Sequence, residues 1–180
     1  MKLNLGGGDK RYEGFVNVDY DQNSNPEYCF DMENDPWPFE DNSVDAVIAH
    51  HVLEHMGEGY FHFMKELYRV CKPNTLIDIV VPHHRHEYFA DDPTHRRSIT
   101  VNGMWLFSKK YNDSCIEQGA AASRLGHYFG VDFEVVDSLE VPDPKYIKTF
   151  EGKLKTEVEQ YMYEHNNIIM ELHIKLVAIK

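Results

Sequence analysis

The residues best equipped for chemistry fall in three places. His51, Glu54 and His55 stand in the order H-x-x-E-H within "AHHVLEH", Ala49 to His55. On a helix, positions four apart share a face, so His51 and His55 could grip a zinc ion while Glu54 held a water. Gly6, Gly7 and Gly8 close the run "KLNL", and Asp19 closes the next run, "FVNVD". Glycines at a strand end let the backbone approach a ligand that side chains would keep away, and Asp19 is placed to accept hydrogen bonds from ribose hydroxyls. The third place is rich in histidine: His83, His84 and His86 follow "TLIDIVVP", and His95 lies in "DPTH". A histidine ionises near neutrality, which suits removal of a proton from a hydroxyl or amine.

Each pattern has a limit. A zinc hydrolase needs a third protein ligand downstream; Glu117 and Glu157 are available, but no spacing picks either, so no metal is expected. Gly6 and Gly8 fit G-x-G, yet Arg11 stands where the third glycine of a dinucleotide fingerprint belongs. Asp19 follows Gly8 by eleven residues, not by about twenty. No G-K-[ST] follows, which removes the P-loop.

The elements that must hold these groups alternate between strand-like and helix-like runs, the order of an α/β fold with a parallel sheet. Lys2 to Leu5, Phe15 to Asp19 and Glu27 to Asp31 read as short strands, and Val44 to His50 as a buried central one. "GYFHFMKELYRVCK" has Phe61, Met64, Leu67, Tyr68 and Cys71 at helical spacing, with Pro73 as the stop, and Thr75 to Pro82 is the next strand. Residues 83–112 show little periodicity apart from a helical stretch around Val101 to Ser108, and long loops in compact domains are usually lids or binding segments. Ser114 to Phe129 reads as a helix and "VDFEVVDSLEV" as a strand. "EGKLKTEVEQYMYEH" reads as a helix whose apolar face packs on the core. "MELHIKLVAIK" alternates as an antiparallel or edge strand does.

At 180 residues and 42% hydrophobic content, the chain can bury one good core and is short for two, so residues 1–180 are expected to form a single domain. A net charge of −12 repels phosphate backbones and anionic bilayers, so neither nucleic acid nor membrane is expected as a partner. Three widely spaced cysteines, Cys29, Cys71 and Cys115, without C-x-x-C spacing fit a reducing compartment. With no signal-peptide pattern and no apolar run of spanning length, the expected location is cytoplasmic.

"LNLGGGDKRYEGFVNVD" resembles the "LxLGCG" turn and ribose-binding acid of the class I S-adenosylmethionine-dependent methyltransferases, in the form found in their small, type 11-like members. "FDMENDPWPFEDNSVDAVIAHHVLEH" is similar to their "DxxxLPFxDxSFDxVxxxHVLEH". "KELYRVCKPNTLIDIVVP" resembles "ELxRVLKPGGxLxIxVP", and "DPTHRR" resembles "DPTHxR". The resemblance spans roughly the first hundred residues. It implies a Rossmann-like sheet, mostly parallel with an antiparallel C-terminal strand, and S-adenosylmethionine as cofactor. Leu5, Gly6, Gly7, Gly8, Asp19, Tyr20, Asp31, Met32 and His50 would form its site, with Asp31 and Met32 flanking adenine. His50 and His95 are the candidate catalytic groups. In this setting "HVLEH" begins a helical turn past the fourth strand, with His51 packing locally and Glu54 and His55 at the rim.

Two departures bear on the structure. Gly7 replaces a small cysteine or alanine, and Asn74-Thr75 replaces Gly-Gly. Only Asp9 to Gly14 join the first two strands, and six residues span about 20 Å against about 17 Å for a five-residue strand. That crossover must be extended or a single turn, leaving one sheet face thinly covered, exposed or closed by a second subunit as a homodimer. The acceptor is expected to be a small molecule or carrier-bound precursor, such as a sugar or related metabolite, with residues 83–112 as its lid. A cofactor-binding or assembly protein without catalysis, and a metal-dependent hydrolase, are the alternatives.

Overall fold

The computed structural model describes residues 1–180. Its strands are β1 (Lys2–Leu5), β2 (Val16–Asp19), β3 (Tyr28–Cys29), β4 (Val44–His50), β5 (Cys71–Pro82), β6 (Phe133–Pro142) and β7 (Ile169–Ala178). They form one sheet in the order β3-β2-β1-β4-β5-β7-β6. The first five run parallel, and β7 pairs antiparallel with both β5 and β6. The helices are α1 (Tyr60–Val70), α2 (Glu87–Asp91), α3 (Val101–Trp105), α4 (Lys109–Glu117), α5 (Leu125–Phe129), α6 (Ile147–Phe150) and α7 (Lys155–Glu164). This is the expected Rossmann-like α/β architecture.

The alternation of side chains along paired strands sets the core. Leu5, Ala49 and Ile79 share a register and a face, as do Leu3, Val47 and Ile77, and all six are buried. They belong to the same core as Phe63, Met64 and Leu67 of α1. The buried stripe of α1 also includes Tyr60 and Val70, so it is centred one step from the expected one; Phe61 and Tyr68 sit at its margin. Each fully buried side chain of this size contributes about 1.5–3 kcal/mol.

The opposite face carries Asn4, Ile48, Asp78 and Lys175 in register. Here Leu76 is 44% exposed and Lys175 is open to solvent. The thin cover follows from the bare connections. β1 reaches β2 without a helix, and β2 reaches β3 through one 3₁₀ turn, Gln22–Ser24. Arg11, at the position that failed the dinucleotide pattern, ties these connections together. Its guanidinium donates to the carbonyls of Gly8 (2.6 Å), Ser24 (2.7 Å) and Asn25 (3.1 Å). Beneath the loop, Asn4 donates to the Asn17 side chain at 2.8 Å, and both amides reach the Lys10 carbonyl. A Cβ on Gly7 would overlap these amides, which accounts for glycine there.

Several boundaries differ from expectation. β3 is two residues long, pairing only with Val18 and Asp19, because the Asn17 N–H of β2 goes to the Glu27 side chain at 2.8 Å in place of a backbone carbonyl. α1 passes directly into β5 at Cys71, so Pro73 lies inside the strand. The pairing with β4 slips between Val44 and Ala46, and Asn74 takes φ 62°. Asparagine tolerates that left-handed step, the role that Gly-Gly fills in the resembling family. The stretch Ser114 to Phe129 is two helices, because Gly119 turns left-handed at φ +65°. α7 has no fully buried residue: Tyr161 and Met162 pack against the core from its margin, while Leu154 at its N-cap is exposed. β7 is an inner strand and β6 is the edge. No helix is long and apolar enough to cross a membrane.

Candidate active site

In an open parallel sheet, ligands bind beyond the carboxyl ends of the strands, where the strand order reverses. That point lies between β1 and β4, and a cleft of about 950 Å³ opens beside it. Gly6, Asp19, Tyr20, Asp31 and Met32 line it, as expected from sequence; Phe30, Val52, Met56 and Arg96 complete its walls. Leu5 is fully buried beneath the turn, and Gly8 does not line the cleft. Gly7 and His50 line a smaller hollow of about 250 Å³ next to it.

Gly6 and Gly8 adopt left-handed φ of 58° and 50°, which turns the chain back on itself at the end of β1. Asp19 fixes this turn. It is 6% exposed; its Oδ2 accepts the Gly8 N–H at 2.8 Å and its Oδ1 accepts the Asp21 N–H at 2.9 Å. A carboxylate has about four lone-pair sites, so acceptor capacity remains on the cleft side. Asp31 accepts from the Glu33 N–H and the Asn34 amide, and the Asn34 bond holds it below the usual carboxylate range. Glu33 in turn accepts from the N–H groups of Gly57 (2.8 Å) and Gly59 (3.0 Å), which locks the Asp31 loop to the start of α1.

The cleft suits S-adenosylmethionine. Its volume accommodates a nucleoside with an amino-acid arm, and Phe30, Met32, Val52 and Met56 give apolar contact for a purine. Asp19 and Asp31 offer acceptors for hydroxyls and amines. Four carboxylates, Asp19, Asp31, Glu33 and Glu58, face one guanidinium, Arg96, a balance that favours a sulfonium cation.

A second pocket of about 440 Å³ adjoins the cleft, lined by His51, Pro82, Tyr88, Asp92, His95, Met170 and Glu171 among others. His51 borders the cleft, this pocket and the small hollow alike. Its N–H continues the β4–β5 ladder to Val80, and its φ of 57° then swings the ring out of the strand. The ring lies between two carboxylates, Nδ1 3.3 Å from Glu54 and Nε2 3.4 Å from Glu171. The Glu54 carboxylate beside the ring raises the His51 pKa above the ordinary 6.5, and Glu171 adds to the effect.

The two histidines expected to act are separated. His95 lines the second pocket, with a side chain 9% exposed and Nδ1 bonded to the Phe89 carbonyl. His50 faces the thinly covered side of the sheet, 3.4 Å from the Tyr12 hydroxyl and 3.2 Å from Asp78. Glu54 is not at the rim; it is 1% exposed. Of the other histidines after β5, His84 is exposed and His83 and His86 are structural. His83 is held down to a pKa of about 4 chiefly by burial, and His86, 2% exposed, caps α2 and meets Asp143 at 3.3 Å. From Ile99 onward the expected lid is packed: Ile99, Met104 and Phe107 are core residues. Only the stretch up to Arg96 borders the site. In the sequence His51 reads only as a zinc ligand or a locally packed residue, and Glu171 was missed, because the left-handed turn at His51 and the approach of β7 leave no local signal.

The strand order and the glycine turn define the fold class: a Rossmann-like α/β sheet of the kind seen in S-adenosylmethionine-dependent methyltransferases. Residues 12–93, a little under half of the chain, match a family model described as "Methyltransferase domain". Among solved structures, the chain resembles a SAM dependent methyltransferase from Archaeoglobus fulgidus (16% identity, TM-score 0.63, 98% of this chain and 85% of that one). It also resembles a Haloferax volcanii complex between the Trm112 methyltransferase activator and a methyltransferase (17%, TM-score 0.59, 99% and 82%). A third is a Burkholderia thailandensis 1,6-didemethyltoxoflavin-N1-methyltransferase with S-adenosylhomocysteine bound (13%, TM-score 0.54, 99% and 71%). At these identities the likeness establishes the fold. A comparison with curated proteins gives no match.

Proposed function

We propose that the protein transfers a methyl group from S-adenosylmethionine to a small-molecule or carrier-bound acceptor, such as a sugar or related metabolite. The observation that carries this reading is the junction at His51, where the cofactor cleft and the His95 pocket share a wall. When bound, the cofactor supplies an electrophilic methyl group on a sulfonium. The protein's part is to hold two ligands in line, which needs alignment more than acid–base machinery. Gly6, Asp19, Tyr20, Asp31 and Met32 bind the cofactor, over the turn that Leu5, Gly7 and Gly8 build. The acceptor enters the pocket lined by Tyr88, Asp92 and His95.

His51 is placed to receive a proton from the acceptor, with Glu54 and Glu171 stabilising the charged ring. His95 holds the acceptor from the far wall. His50, turned toward Tyr12 and Asp78, keeps only a supporting place at the glycine turn. The net charge of −12 argues for a metabolite over RNA. The test is transfer of labelled methyl from S-adenosylmethionine into fractionated metabolites and, separately, RNA. Label in a small-molecule fraction, lost in His51→Ala with cofactor binding retained, is the expected result. Salt-sensitive labelling of RNA would overturn the acceptor assignment.

A further inference from the structure

Past β4 the chain makes a short 3₁₀ turn, Leu53–His55, and the loop carrying "DPTH" folds back over it. The N–H groups of Arg96 and Arg97 both donate to the Glu54 carbonyl, at 2.8 and 3.0 Å. This brings His95 beside His55, with ring centroids 4.7 Å apart, and places ligand atoms of Glu54, His55 and His95 within 4.8 Å of one another. The third ligand absent from the H-x-x-E-H reading is therefore His95, and His51 is not part of the set.

Two independent observations point to a cation here. Glu54 is 1% exposed, and neither of its carboxylate oxygens has a hydrogen-bond partner. Within 4 Å its one ion-pair neighbour is the His51 ring, 3.3 Å away and outside hydrogen-bond geometry. A buried carboxylate left this way is costly unless something positive meets it. The second observation is the orientation of both imidazoles. His95 Nδ1 faces the Phe89 carbonyl at 2.9 Å, so that nitrogen carries the proton and the lone pair of the neutral ring sits on Nε2. The Thr94 hydroxyl donates to Asp92 at 2.6 Å and so accepts from His55 Nδ1 at 2.9 Å, which again leaves the lone pair on Nε2. Backbone carbonyls and hydroxyl–carboxylate relays on the far nitrogen are how proteins orient metal-binding histidines.

We propose that Glu54, His55 and His95 form a binding site for a divalent transition ion of the zinc class, at the wall between the cofactor cleft and the second pocket. Two nitrogens and one oxygen are a ligand set that leaves a position open toward that space. Asp92, with Oδ2 3.8 Å from His95 Nε2, is within reach as a further donor. The site shares Glu54 and His95 with the acceptor side of the proposed reaction, and its test reads metal binding alone, so either reading can fail without the other.

The experiment is titration of zinc and cobalt(II) into untagged, chelator-stripped protein, read by calorimetry and by cobalt's visible absorption. One equivalent per chain is expected. His55→Ala, His95→Ala and Glu54→Gln should each weaken binding at least tenfold, while His127→Ala, an exposed histidine paired with Asp113, should leave it unchanged. Thr94→Val keeps all three ligands and should weaken binding by about 10- to 100-fold through loss of the His55 orientation. If His95→Ala does not fold by circular dichroism, His95→Gln replaces it. Substoichiometric binding, or binding indifferent to these variants, would overturn the site.

Discussion

The Gly8 N–H donates to Asp19 Oδ2 across 2.8 Å, so the acid that ends β2 also holds the turn that ends β1. Asp19 therefore has two tasks, and substitutions should separate them. Asp19→Ala is expected to weaken S-adenosylmethionine binding by about 1–3 kcal/mol, because ribose hydroxyls lose a charged acceptor. Asp19→Asn retains one acceptor oxygen and should fall between wild type and alanine. Calorimetric titration with S-adenosylmethionine and S-adenosylhomocysteine measures both; full affinity in Asp19→Ala would sink the cofactor assignment.

Gly7→Ala probes the same turn from below. The added methyl meets the paired Asn4 and Asn17 amides, and the loop or the pair has to yield. Overpacking of this kind costs about 1–3 kcal/mol, readable as a lower urea midpoint at unchanged slope. Gly8→Ala meets no neighbouring atom, only an unfavourable φ, and should cost less.

His83 gives a pH dependence of definite sign. Its pKa falls from 6.5 to about 4 in the folded protein, chiefly through burial and then through the charges of His84, Arg85 and His86. Between those values the unfolded chain binds a proton that the folded chain does not, so stability declines as pH falls. After allowance for its partial exposure, about 1 kcal/mol should be lost from pH 6.5 to 5. Urea melts at the two pH values check this, and His83→Gln should flatten the difference.

Hydrogen exchange should divide residues 83–112 in two. The stretch from Ile99 to Asn112, with Phe107 and Asn112 fully or almost fully buried, is expected to exchange slowly in the empty protein. The stretch from Tyr88 to Thr94, which borders the second pocket, should exchange faster and slow on ligand binding. Uniform slow exchange from His83 onward would show that the whole segment is packed and that no lid exists.

Much of the sheet can be read from the chain because its signals are local. The aliphatic runs of β1 and β4 mark both strands end to end, and counting residues between β1 and β2 forbids a helix there. What stays hidden depends on cover and on distant partners. The spacing in α7 announces an apolar face but not whether anything packs on it. Glu54 reads as a rim residue until the chain from Pro93 to Arg97 closes over it, some forty residues later. His51 reads as a zinc candidate or a locally packed residue until its left-handed φ is known.

The position of β7 inside the sheet has a consequence for synthesis. The glycine turn, β1, β2, β4, α1 and β5 have all been synthesised by residue 82, and together they form most of the cofactor cleft. Yet β5 waits for β7, since Leu76 pairs with Val177 about a hundred residues away. Through that interval the nascent chain carries a long unpaired strand edge of largely apolar sequence, open to pairing with another chain. Yield of soluble protein should thus depend on how fast the last residues are made, and a stop codon before Ile169 should give aggregates rather than a smaller enzyme.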